Sequence, residues 1–183
     1  MSTEMIVRHC APTLTGVKVG NLFSCRYDDV KTLFREVAAR NRLLNSKGVY
    51  FRIMRCGNGV ALIYVYRRKQ LQQILADRDI QRFLSQYGYG GMEAGECLLR
   101  LQQRLLQDEF PHEVGVFLGY PLADIEAFIA NKGANCKYIG CWKVYTDVVA
   151  AKKKFDLFKR CTAVCTRRYF EGTELAGLTV AGA

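Results

Sequence analysis

The chain has 183 residues, 50% of them hydrophobic and 24% charged, with a formal net charge of +10. That balance excludes a disordered or low-complexity chain, and the length suits one domain, 1–183, that needs no disulfide or metal to be stable. No run approaches the roughly 20 apolar residues of a membrane span. The opening MSTEMIVRHC lacks the apolar core of a secretory signal, so the sequence predicts a cytoplasmic protein with no membrane partner.

Residues 5–27 carry mixed signals. Met5 to Val7 suit a short strand, Pro12 and Thr13 a one-turn helix with Cys10 just ahead of its N-terminus, and Asn21 to Tyr27 an extended segment. Asp28 is the expected N-cap of a helix over 28–46, with Val30, Leu33, Phe34, Val37 and Leu44 on one face. Val49, Phe51 and Ile53 then alternate with Tyr50, Arg52 and Met54, Asn58-Gly59 is a preferred tight turn, and VALIYVY reads as a central strand. Two short helices broken near Asp77 follow. The loop from Tyr87 to Gly91 is rich in glycine but lacks the spacing that cradles phosphate. A helix over 93–107 has Leu98, Leu101 and Leu105 inward.

From Phe110 to Tyr145 the spacing predicts a βαβ unit. Val114, Val116, Phe117 and Leu118 make the first strand, and Gly119-Tyr120-Pro121 ends it. Leu122, Ile125 and Ile129 mark a helix closed by Gly133, and Lys137 to Tyr145 make the second strand. A long amphipathic helix over 147–170 and a weakly ordered tail, 172–183, complete the chain. The fold class is therefore α/β, with α+β as its neighbour. A mixed central sheet is expected from the 49–66 hairpin and the 113–145 βαβ unit, covered by the helices at 28–46, 93–107 and 147–170.

The runs HCAPTLTGVK (His9 to Lys18), ALIYVYR (Ala61 to Arg67), FPHEVGVFLGYPLAD (Phe110 to Asp124) and GCWKVY (Gly140 to Tyr145) resemble one bacterial family. It is the group catalogued as domain of unknown function 3793, found mostly in anaerobic Gram-positive bacteria. The resemblance runs nearly end to end, through Leu178-Thr179-Val180, and implies a compact single domain. The family has no established activity, so no catalytic residue is carried over from it.

Chemistry is thus argued from the residues. Eight cysteines without a CxxC pair, in a chain read as cytoplasmic, predict free thiols. Cys10, ahead of a helix N-terminus and near Arg8 and Lys18, is the candidate nucleophile, because a dipole and nearby cations raise the thiolate fraction. His112, at the mouth of a buried strand, is its candidate base. Cysteine first and histidine later is the order of papain-like hydrolases and points to a thiol-dependent hydrolase or transferase, although no glutamine precedes Cys10 and no Asn or Asp is singled out to orient the imidazole. His9 is a poor base, because adjacent side chains on an extended backbone point apart.

A second reading is a binding module for nucleic acid, a nucleotide or another anionic ligand. Residues 1–58 hold ten Lys/Arg against four Asp/Glu, while 109–145 hold three against four. Basic-aromatic clusters at Tyr64 to Lys69 and Arg167 to Phe170 suit phosphate and base contacts. The ligand-binding candidates are Arg8, His9, Thr13, Lys18, Gly119, Tyr120 and Trp142, with Gly119-Tyr120-Pro121 opening a helix where an anion would bind. A third reading, haem or soft-metal ligation, would need His9-Cys10 to converge with Cys25 or Cys56. The sequence names no cofactor, and its cysteine spacings match no zinc knuckle.

Overall fold

The computed structural model describes residues 1–107 and 109–182. Its first element departs from expectation: residues 5–14 form neither a strand nor a separate turn but part of one helix, α1 (Thr3–Leu14). Ser2 caps it, its hydroxyl accepting from Met5 N at 3.2 Å. Ile6, Val7, Cys10, Ala11 and Leu14 form one buried face at helical spacing, which outweighs the β-branched pair that suggested a strand. Pro12 lies near the end of α1, where its missing N–H forfeits one backbone bond.

β1 (Gly20–Arg26) leads into α2 (Val30–Leu44). The N-cap of α2 is Asp29, whose carboxylate accepts from Thr32 N at 2.8 Å and Lys31 N at 3.3 Å. Gly48, at φ +78°, turns the chain into β2 (Val49–Gly57). Asn58 and Gly59, at φ +51° and +71°, make the tight turn into β3 (Val60–Arg67), as their sequence requires. The helices α3 (Arg68–Leu75), α4 (Arg78–Ser85) and α5 (Ala94–Arg104) follow.

The sheet has the order β1-β3-β2 with antiparallel neighbours, so β1 and β2 run parallel on either side of β3. The βαβ-like crossover of this fold is β1–α2–β2. The unit expected at 113–145 is not one. Val114–Phe117 is a single helical turn, α6, and α7 (Leu122–Ala130) follows it. Residues 137–145 form a ribbon of two short strands, β4 (Tyr138–Ile139) and β5 (Lys143–Val144), outside the main sheet. A run as short as Val114–Leu118 is equally apolar as a buried helical turn, and periodicity does not separate the two. α8 (Val148–Phe170) is the expected long helix. The stretch expected to be a weakly ordered tail carries α9 (Leu175–Leu178), with Leu175 and Leu178 buried; Ala183 lies outside the described residues.

Strand alternation divides the core into two layers. Phe23, Cys25, Phe51, Ala61, Ile63 and Val65 face α1, α2, α8 and α9. Met54 and Tyr64 face α3 to α7 on the other side. A third cluster, Trp142, Val144, Ala151 and Phe155, seats the ribbon on the start of α8.

Candidate ligand-binding site

The motif-rich stretch 110–145 builds a cavity rather than a sheet. Gly119 turns the chain between α6 and α7 at φ +72°, and a Cβ there would lie 2.7 Å from Val19 Cγ1, so only glycine fits. The turn aims Tyr120 toward the ribbon, where its hydroxyl donates to Cys141 O at 3.1 Å. Asp124, in the first turn of α7, is buried and accepts four hydrogen bonds. Trp142 Nε1 donates to Oδ2 at 2.8 Å, while Tyr145 N, Thr146 N and Thr146 Oγ1 donate to Oδ1 at 2.9, 2.9 and 2.8 Å. Burial pushes the Asp124 carboxyl up, but the bonds from Tyr145, Trp142 and Thr146 outweigh it and hold the group below the usual carboxylate range.

Trp142 is thereby locked. Its ring stacks on Tyr120 at 4.9 Å between centroids and meets Phe155 edge-on at 4.4 Å. In front of it lies a cavity of about 280 Å³, walled chiefly by Phe110, His112, Leu118, Tyr120, Phe128 and Trp142. The exposed His112 sits edge-on to Phe128 at 4.9 Å. Lys143 closes one end, its Nζ donating to Gly133 O at 2.7 Å and lying 5.7 Å from the Phe128 centroid. The wall is chiefly aromatic and apolar, with the polar groups of His112 and Lys143 at its edge.

Tyr120 and Leu118 also wall a second depression, a groove of about 560 Å³ bordered by His9, Lys18, Cys141, Phe158 and Lys159. Lys18 Nζ lies 5.4 Å from the Tyr120 ring centroid and 5.7 Å from that of Phe158, a cation between two aromatic faces. Burial pushes its ammonium pKa down, and the thiols of Cys141 and Cys10 oppose that. Among the described residues Lys18 forms no ion pair. His9 is stacked flat on Phe23 at 5.2 Å.

The expected residues therefore divide. His112, Tyr120 and Trp142 line the aromatic cavity, His9, Lys18 and Tyr120 line the groove, and Gly119 makes the turn between them. Cys10 is not the thiolate its expected position promised. It is the eighth residue of α1, not a residue ahead of the helix, and has no solvent exposure; burial pushes its thiol well up. It packs in the layer of α1 and α2, whereas His112 lines a cavity of the opposite layer, so the two do not form a pair. Arg8 is exposed and ion-paired with Glu4 at 2.7 Å, and Thr13 is buried with its hydroxyl donating to Asn21 Oδ1 at 2.7 Å. Cys25 is buried and Cys56 exposed, and all eight cysteines are free. No group of three or more His, Cys, Asp or Glu stands together as a metal site among the described residues. Sequence reasoning missed Phe110, Phe128 and Lys143 as site residues, and Asp124 entered it only as the end of the run from Phe110. The signal was the density of aromatics between Phe110 and Trp142, in a stretch read there as a βαβ unit.

The family model described as "Protein of unknown function (DUF3793)" matches residues 6–179. The chain belongs to this family. No curated protein and no solved structure matches the chain. Among the described residues of this DUF3793 domain no helix is long and apolar enough to cross a membrane.

Proposed function

We propose that this chain is a small-molecule binding protein whose ligand carries a flat apolar ring and an acidic group. The observation that carries this reading is the shared wall: one face of the 118–120 turn closes the aromatic cavity and another borders the groove of Lys18 and Lys159. The ring lies against Trp142, Phe128 and Tyr120, and the acidic group is drawn to Lys18, a cation with no carboxylate of its own among the described residues. This takes the place of thiol hydrolysis, because the nucleophile that reading needs is buried in α1. The eight free thiols support a reducing, cytoplasmic setting.

Trp142 is the only tryptophan, so its emission reports on the cavity directly. The test titrates the protein with 8-anilinonaphthalene-1-sulfonate and with its uncharged analogue N-phenyl-1-naphthylamine. Both are expected to quench Trp142 saturably at one site. Lys18→Gln is expected to weaken the sulfonate roughly tenfold, a charged contact being worth about 1.5 kcal/mol, and to leave the neutral probe unchanged. Absence of a saturable change with either probe defeats the proposal.

A further inference from the structure

A further concave surface lies on the sheet face below α3 and α5 and shares no lining residue with the aromatic cavity or the Lys18 groove. The β2–β3 register sets Tyr50 opposite Tyr66 and Arg52 opposite Tyr64, so all four side chains stand on one face. The rings form a continuous stack, Tyr64 to Tyr66 at 4.9 Å and Tyr66 to Tyr50 at 5.8 Å. Arg68, the first residue of α3, holds its guanidinium 5.7 Å from the centre of the Tyr50 ring. Tyr50, Tyr66, Arg52 and Arg68 line a hollow of about 530 Å³ between α3 and the start of α5. At Tyr50, Arg68 and Gln72 it runs on into a second hollow of about 670 Å³, bordered by Lys69 and Gln73.

The charges of this surface are unspent. Among the described residues Arg52, Arg68 and Lys69 form no ion pair. Arg52 donates from Nη2 to Gln102 Oε1 at 3.1 Å, but its Nε is buried without a partner. Among the described residues Glu93 is the one carboxylate bordering either hollow. A buried donor with nothing to bond is costly, so the Arg52 guanidinium is left incompletely paired.

We propose that this double hollow binds single-stranded nucleic acid, with phosphates on Arg52, Arg68 and Lys69 and a base against Tyr50. Two connected hollows suit an extended polymer rather than a single small anion. Cations alternating with tyrosines supply backbone attraction and base stacking, the two terms of single-strand binding. The amides of Gln72, Gln73 and Gln81 border the same surface and hydrogen-bond base edges without imposing a sequence.

The experiment measures fluorescence anisotropy of a fluorescein-labelled oligothymidylate of about twelve nucleotides, within the site sizes of single-strand binders. The expected result is saturable binding that weakens roughly twentyfold between about 50 and 200 mM salt, the loss for three phosphate contacts on a single strand. Arg68→Glu and Tyr50→Ala are each expected to lower affinity roughly tenfold. Lys153→Glu makes the same charge change at an exposed position of α8 and should change it little. Circular dichroism and thermal melting confirm that each variant is folded. Absence of binding at low salt overturns the proposal, as does an equal loss in Lys153→Glu, which would mean diffuse attraction to a basic surface. Full displacement by millimolar orthophosphate overturns it too, in favour of a small-anion site.

Discussion

Arg67 joins the two ends of the chain through a single side chain. It is 3% exposed, and its Nε donates to Thr13 O at 2.7 Å. Nη2 donates to Leu14 O and to Val180 O, and Nη1 to Lys47 O. Thr13 and Leu14 end α1, where carbonyls have no helical donor and the dipole is negative, so a buried cation needs no carboxylate there. Arg67→Met is expected to cost roughly 3 kcal/mol, because it removes charge-assisted bonds to Thr13 O and Leu14 O, which keep backbone donors from Gly16 N and Val180 N, and the donor of Val180 O. Arg67→Lys is expected to recover only part of it, because an ammonium lacks the planar fork. Urea unfolding measures both; an unchanged midpoint in Arg67→Met would show that solvent already serves those carbonyls. In the sequence Arg67 is indistinguishable from Arg68 and Lys69, and all three read as one basic cluster. What separates it is a set of backbone acceptors up to 113 positions away, which no local pattern encodes.

At the scale of elements, the legible parts were those with long or chemically marked patterns. The 49–66 hairpin has alternation on one side of Asn58-Gly59, and α2, α5 and α8 each repeat an apolar stripe over several turns. The failures, 5–14 and 113–118, are short apolar runs whose type is decided by what packs on them. Gly140 is another such case, since a Cβ there would lie 2.2 Å from the Phe155 ring and the ribbon could not close on α8. A ribbon of two-residue strands is not stable alone, and Asp124 is what fastens it to α7. Asp124→Asn turns one acceptor into a donor facing the Trp142 N–H. The expected result is a loss of roughly 1–3 kcal/mol and a red-shifted Trp142 emission. The pH dependence has a definite sign. The folded carboxyl titrates below its unfolded value of about 3.9, so its contribution is complete above that pH and is lost as pH falls through the folded value. Stability curves of the wild type and Asp124→Asn should therefore run apart above about pH 4 and converge below it. Parallel curves down to strong acid would remove Asp124 as the fastening.

For the whole molecule, the two-layer core makes an ordered prediction about its eight thiols. Cys56, on the exposed hairpin, and Cys141, on the exposed ribbon, face solvent, while Cys136 and Cys161 are half-buried. Cys10, Cys25, Cys97 and Cys165 are buried, and burial pushes each of their thiols up. Reaction with iodoacetamide needs both access and thiolate, so the two penalties multiply. Cys56 is expected to react first. Cys141 follows, because burial raises its thiol although Lys18 and Lys159 pull the other way. Cys10 is expected to react only through global opening, a state populated at no more than about one molecule in a thousand for a domain of ordinary stability. Peptide mass spectrometry resolves each site over time, and anilinonaphthalene sulfonate adds a second axis. Cys141 borders the Lys18 groove, so the bound probe should slow its alkylation and leave Cys56 untouched. Alkylation of Cys10 in native protein at the pace of Cys56 would break the α1 layer and reopen the thiol chemistry its sequence suggested. Protection of Cys141 alone would tie the groove and the aromatic cavity to one ligand.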